Sequence, residues 1–191
     1  MMLDDRSERF LRLLEPQQAT LWRFVRSMVR THHEAEDVVS ETILQALEGF
    51  HRLRDEQAFV SFLFTIASRI VKRQRWRRRL FGEYDEPSIE QRHHADPLPD
   101  VQADIDLLRT ALQKLPVKTR EAIVMFELTG FSLEEIRTVQ GGSLSGVKSR
   151  LVRGRQQLAR LLDADPRREE LPTTDATERQ SLPLVHHQTV L

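Results

Sequence analysis

Ser132–Leu162 reads "SLEEIRTVQGGSLSGVKSRLVRGRQQLARLL". Ser132 and Glu135 have capping-box spacing, in which each side chain satisfies a backbone N–H at the other residue, so a short helix opens here. Gly141 and Gly142 then break the chain, and Ser143 stands where it can cap a longer helix running from Leu144 to about Leu162. Short helix, glycine turn, longer helix is the punctuation of a helix-turn-helix. In the longer helix Val147, Leu151, Leu158 and Leu161 fall on one side, while Ser145, Ser149, Gln156 and Arg160 fall opposite, flanked by Lys148 and Arg153. That outer face is polar and basic with few acids. It suits a major groove, where Arg and Lys reach phosphates or guanine edges and Ser and Gln contact either. An ordinary solvated helix would carry the same pattern; the position after a glycine turn is what favours DNA.

Outward from this stretch, composition sets the frame. The chain has 191 residues, 39% hydrophobic and 30% charged, with only 7 Gly, as expected of one medium or two small helical domains with a packed core. There is no cysteine, which excludes disulfides, thiolate metal sites and Cys nucleophiles. No apolar run approaches the length of a membrane span, and "MMLDDRSERF" lacks the core of a signal peptide, so the expectation is a cytoplasmic protein with no membrane insertion.

Formal neutrality hides a segmented charge. Residues 1–79 hold 15 basic and 11 acidic side chains (+4), and residues 80–106 hold 1 and 8 (−7). Residues 107–162 hold 10 and 4 (+6), and residues 163–191 hold 3 and 6 (−3). Two basic blocks separated by an acidic connector suit a protein that touches polyanions at two places. The organisation expected is all-α: a helical bundle over 5–80, a flexible acidic linker with three prolines over 81–104, the helix-turn-helix block over 105–162, and a disordered tail over 163–191.

In the first block Thr31 and Glu34 form another capping box, opening a helix whose buried stripe is Ala35, Val38, Val39, Thr42, Ile43, Ala46, Leu47 and Phe50. Asp37, Glu41, Leu44 and Glu48 fall on its opposite side. A helix around Ala19–Arg30 precedes it. A further helix, from about Gln57 to Arg79, turns Phe59, Phe62, Leu63, Ile66 and Ile70 inward. Its end reads "KRQRWRRR" (Lys72–Arg79). Arg69, Lys72, Arg73 and Trp76 share a face at i, i+3, i+4 and i+7, and cations beside an indole suit single-stranded DNA, whose unstacked bases can lie on aromatic rings. Phe62 or Phe64 would extend such a surface, although for each of these, as for Phe59, a core position is the favoured reading. Glu34, Asp37 and Glu41 also align, yet no histidine or further acid supports a metal or catalytic site, and a partner-binding face around Leu44 is the more economical role. The paired histidines at 32–33, 93–94 and 186–187 read as exposed loop residues, and no cofactor is expected.

"AEDVVSETILQAL" (Ala35–Leu47), "AFVSFLFTIASRIVKRQRWRRR" (Ala58–Arg79) and the run from Leu112 to Leu158 together resemble the bacterial sigma-70-type factors of the extracytoplasmic-function (ECF) group. The resemblance covers about 140 residues in the right order. It implies two helical domains, sigma-2 and sigma-4, joined by a flexible linker, with no catalysis of their own. The implied partners are core RNA polymerase and promoter DNA, duplex and single-stranded; an anti-sigma protein holds many such factors inactive. Position for position, Asp37, Glu41, Leu44 and Glu48 match the surface that docks on polymerase. Phe50 to Phe64, with Phe62 among them, and Arg69 match the region that melts the "−10" element. Lys148, Ser149, Val152 and Arg153 match the positions that read the "−35" element, and Ser145 and Gln156 share their face.

Departures from the family pattern carry expectations too. Ser40 stands where Gln is frequent, Phe62 and Phe64 replace Trp and Tyr, and Arg69 replaces Asn. Gln140 and Gly142 occupy positions where small aliphatics usually seal the helix-turn-helix core, so Gly142→Ile is expected to raise the melting temperature. Two other readings compete. A regulator that binds only duplex DNA leaves the Leu44 and Trp76 faces without a role, and a nucleic-acid hydrolase lacks a complete set of acids.

Overall fold

The computed structural model describes residues 5–81 and 99–164. Every regular element among them is helical: α1 (Asp5–Leu14), α2 (Gln18–Met28), α3 (His32–Gly49), α4 (Phe59–Phe81), α5 (Pro99–Lys114), α6 (Val117–Ile123), α7 (Leu133–Gln140) and α8 (Leu144–Asp163). Short 3-10 turns at Glu15–Gln17, Phe50–Arg52 and Glu56–Ala58 join the early helices. Because α5 begins at Pro99, the last six residues of the expected linker, 99–104, belong to a helix. The tail beyond 164 and residues 82–98 lie outside the described residues.

Local chemistry places the helix ends. Thr31 Oγ1 accepts from the Glu34 N–H at 3.1 Å, and Glu34 Oε2 accepts from the N–H groups of Thr31 at 3.4 Å and Arg30 at 2.8 Å. Three donors that the first turn would otherwise leave bare are thereby satisfied. The other Glu34 oxygen receives Arg78 Nη1 at 2.6 Å, so the same cap ties α3 to the end of α4. Phe10, Phe50 and Phe59 meet edge-to-face with centroids 5.4–6.0 Å apart and close the bundle at one end. Ala35, Val38, Thr42 and Ala46 of α3 are buried against Phe59, Leu63, Ala67 and Ile70 of α4.

In the second block α6 widens into a π-type turn over Val124–Leu128, and Gly130 (φ 72°) reverses the chain. The Phe131 N–H then donates to the Met125 carbonyl at 2.9 Å, which sends the Phe131 ring inward. Ser132 and Glu135 make their capping box, and the Ser143 hydroxyl accepts from the Gly146 N–H at 3.2 Å to start α8. α8 crosses α6 closely at Gly154, where a Cβ would stand 2.6 Å from Thr119 Cγ2.

Gly142 corrects a sequence expectation. It is exposed at φ 91°, with nothing within 4 Å of a built Cβ. Isoleucine would fill no hole there and would be forced into a left-handed backbone region that a β-branched residue resists. Gly142→Ile is therefore expected to lower stability rather than raise it. Gln140, the other departure, is buried, and its amide nitrogen donates to the Lys118 carbonyl and to Glu121 Oε2, each at 2.8 Å. A polar residue serves where an aliphatic was expected because an acid is there to receive it.

The two blocks share one continuous core. Phe64 of α4 lies between Phe24 of α2 (centroids 5.3 Å) and Phe131 of the second block (4.7 Å). Gln113 Nε2 donates to the Val29 carbonyl at 3.1 Å, and Arg120 Nη1 donates to that of Met28 at 3.4 Å. Carbonyls at the C-terminal end of α2, without partners inside their own helix, are thus capped by the second block.

Candidate nucleic-acid and polymerase interfaces

Three surfaces emerge from these packings. On α3 the bundle covers one side only, leaving Asp37 and Leu44 60% exposed and Glu48 exposed. Glu41 is half-buried: its Oε1 accepts from Gln45 Nε2 at 2.9 Å and pairs with Arg73 of α4. An acidic face with one bare leucine at its centre is a surface looking for a partner with cations around an apolar hollow.

The second surface lies on α4. Arg69 is exposed, Trp76 is 62% exposed, and Arg73 is half-exposed but engaged with Glu41. Trp76 and Lys72 line a cleft of about 290 Å³ together with Arg75 and, from α6, Val117 and Lys118. Phe62 is half-buried, with its Cζ 3.0 Å from where a Cβ on Gly49 would stand. Phe50 and Phe64 do not belong to this surface: at 5% and 0% exposure they are core, and they leave the DNA-facing set. The reason is geometric. Phe64, on α4, is enclosed between Phe24 of α2 and Phe131 of the second block, and Phe50, in the turn after α3, is enclosed within the first block by Phe10 and Phe59.

The third surface is the outer side of α8. Ser145, Lys148, Ser149, Arg153 and Gln156 are exposed and Val152 is 53% exposed, while Val147 and Leu151 are buried beneath them. Arg153 Nε donates back to the Ser149 carbonyl at 3.2 Å. Arg155, on the flank, lies over the Phe126 ring and is paired with Glu127 at 2.6 Å.

Sequence reasoning missed the residues of the seam between the blocks. Arg120 is fully buried, and its guanidinium donates to the carbonyls of Gln113 (2.7 Å), Leu115 (3.4 Å) and Met28 and to Gln113 Oε1 at 2.5 Å. Burial, with the nearby charges of Arg75 and Arg30, lowers its pKa to about 10. Glu121 is 1% exposed and meets Ser68, Lys72 and Gln140. The available signal was two opposite charges in succession just ahead of the apolar run Ala122-Ile123-Val124-Met125. Among the described residues no group of three or more His, Asp or Glu side chains could hold a metal, and no helix is long and apolar enough to cross a membrane.

Helices throughout, and a helix-turn-helix with an open basic face, define an all-α DNA-binding protein. Comparison with known proteins narrows the class. A family model for sigma-70 region 2 matches residues 13–80, and one for sigma-70 region 4 matches residues 105–158. The chain is 30% identical over 146 residues to the ECF RNA polymerase sigma factor EcfG of Rhodopseudomonas palustris, spanning 76% of this chain and 81% of that one. It is 31% identical over 154 residues to the ECF RNA polymerase sigma factor SigM of Mycobacterium tuberculosis, spanning 80% and 76%. Among solved structures, the sigma factor RpoE from Bartonella quintana, in complex with the anti-sigma factor NepR, superposes with a TM-score of 0.69 at 27% identity, covering 83% of this chain and 99% of that one. The chain belongs to the ECF group of sigma-70-type RNA polymerase sigma factors. It is a sigma factor directing promoter-specific transcription initiation.

Proposed function

We propose that the three exposed surfaces divide the work of initiation. The α3 face of Asp37, Glu41, Leu44 and Glu48 anchors the chain to core RNA polymerase. Arg69, Lys72, Arg73 and Trp76 of α4, with Phe62 at their edge, hold opened "−10" DNA. Ser145, Lys148, Ser149, Val152, Arg153 and Gln156 of α8 read the "−35" duplex. The observation that carries this reading is Leu44, a large apolar side chain held 60% exposed amid carboxylates, which a duplex-only regulator has no use for. The mechanism is binding without catalysis: polymerase docking positions the chain, and trapping unstacked bases against an exposed indole and cations favours the open duplex. An anti-sigma factor is a further partner, in line with the Bartonella quintana complex. The site of action is the cytoplasm, where polymerase and DNA are found.

Reconstitution with core polymerase on a promoter library tests the reading. Promoter-specific transcripts are expected with the wild-type protein, and their loss with Asp37→Arg or Leu44→Asp while duplex binding persists. Duplex binding by the wild type with no transcript would favour a duplex-only regulator.

A further inference from the structure

Where α4 meets α6, an acid occupies a place that a DNA-facing helix would offer to an anion. Ser68 and Lys72 stand one turn apart on α4, and Lys72 Nζ donates to Ser68 Oγ at 2.8 Å. Both converge on one carboxylate oxygen: the Ser68 hydroxyl donates to Glu121 Oε1, and Lys72 Nζ lies 3.4 Å from the same atom. Glu121 Oε2 accepts from Gln140 Nε2 at 2.8 Å. A hydroxyl and an ammonium on one helical turn thus form a two-pronged anion clasp, and the second block fills it. Ser68 and Glu121 are each 1% exposed, so the hydroxyl prong is sealed while the blocks are docked, whereas Lys72 stays 37% exposed at the cleft it shares with Trp76.

The chemistry of the seam is that of a junction that opens. Packing a permanent interface with apolar side chains is commonly as stable as packing it with charges, because burying a carboxylate or a guanidinium carries a large desolvation penalty. Here Glu121 and Arg120 are buried side by side along the chain. Separation would rehydrate Glu121, which lowers the cost of opening, and would cost Arg120 only its 3.4 Å contact with the Met28 carbonyl, since its bonds to Gln113 and Leu115 lie within the second block. The Phe64–Phe131 contact at 4.7 Å supplies the apolar part of the closure.

We propose that Ser68 and Lys72 form a binding site for a nucleic-acid backbone phosphate, and that Glu121 fills it as an intramolecular phosphate mimic while the two blocks are docked. The proposal rests on α4 as the helix that holds opened DNA, and it adds Ser68 to that surface. A tethered carboxylate acts at an effective concentration on the order of millimolar, far above that of any promoter. The free protein is therefore held off single-stranded DNA until an event such as polymerase docking parts the blocks. Arg69, exposed one residue from Ser68, and Arg73, one residue from Lys72, would extend the vacated clasp along the strand.

The test uses the full chain and a fluorescein-labelled single-stranded oligo(dT), read by anisotropy across a salt series. With a closed population about ten times the open one, Glu121→Gln binds about tenfold more tightly than wild type. Adding Ser68→Ala or Lys72→Ala to Glu121→Gln returns the affinity to the wild-type level. Phe131→Ala loosens the seam without touching the clasp and gains affinity in the same direction, which keeps the test in force should Glu121→Gln unfold. No gain in a folded variant, or a gain that survives removal of Ser68 and Lys72, overturns the proposal. Promoter-specific transcription by the wild-type protein with core polymerase separates the two readings. If it occurs while the oligo(dT) gain is absent, only the mimic falls; if it fails, the role of α4 falls with it.

Discussion

Helices α4 and α8 are built from the same kinds of side chain, arginines and lysines around a buried apolar stripe, yet they leave different amounts of themselves for nucleic acid. On α8, Ser145, Lys148, Ser149, Val152, Arg153 and Gln156 stand clear, because that helix packs one side against α6 and α7. On α4 the neighbours are α3, α2 and the second block, and three of its cations are already engaged there: Lys72 with Ser68 and Glu121, Arg73 with Glu41, and Arg78 with Glu34. The difference teaches that a basic helix is a measure of charge, whereas an interface is a measure of what the fold leaves uncovered. On the proposed reading, a reader on α8 is ready before any partner arrives, whereas a surface on α4 has to be released.

The sharpest way to break the contrast is within α4 itself, where two aromatics have opposite fates. Phe64→Ala is expected to destabilise the protein by about 3–5 kcal/mol, the range for emptying a fully buried ring. Trp76→Ala, 62% exposed, is expected to stay within about 0.5 kcal/mol of wild type. Urea unfolding of both variants checks this, and similar losses would mean that the indole is also structural.

Next in size comes the open helix. Arg153→Ala should weaken binding to a cognate "−35" duplex by about 1–3 kcal/mol if it reads a base edge, and relax sequence choice at one position. Competition binding with single-base variants of that duplex measures it; an equal loss across all variants would make Arg153 a phosphate contact.

Glycines test how the recognition helix is held. Gly154→Ala drives a methyl into Thr119 and Ile123, and an expected loss of about 1–3 kcal/mol follows from overpacking. Gly142→Ile is expected to cost about 1–2 kcal/mol for its left-handed backbone. Thermal melts distinguish the two origins, because Gly142→Asn should recover much of the loss, whereas no polar substitute relieves the contact at Gly154.

The smallest effect separates a paired cation, Arg73, from one with no ion pair among the described residues, Arg69. Arg73→Ala is expected to weaken oligo(dT) binding by less than about 1 kcal/mol, because Arg73 gives up a partly exposed ion pair of similar worth before it meets DNA. Arg69→Ala should cost more than Arg73→Ala in the same titration. The reverse order would mean that Glu41 does not compete for Arg73.

Much of this was legible in the residues themselves. Capping boxes at Thr31/Glu34 and Ser132/Glu135, the paired glycines and the period of Val147 and Leu151 placed α3, α7 and α8, because those signals act within a turn or two of their own backbone. The outward sides of α3 and α8 were legible for the same reason, since each helix buries a single stripe. The start of α5 was not, because prolines and acids near Pro99 resemble a linker until a helix forms around them.

What the chain determined alone is local: helix boundaries and the side of each helix that is apolar. What only the tertiary structure decided is which chemistry is left over once distant segments meet. Phe64 became core because Phe24 and Phe131, 40 and 67 residues away, close on both sides of it. Glu121 became the partner of Ser68 across 53 residues, and the Gln140 amide nitrogen found one of its two acceptors in that same acid. Burial and charge pairing depend on who the neighbours are, and no periodicity along a helix names them.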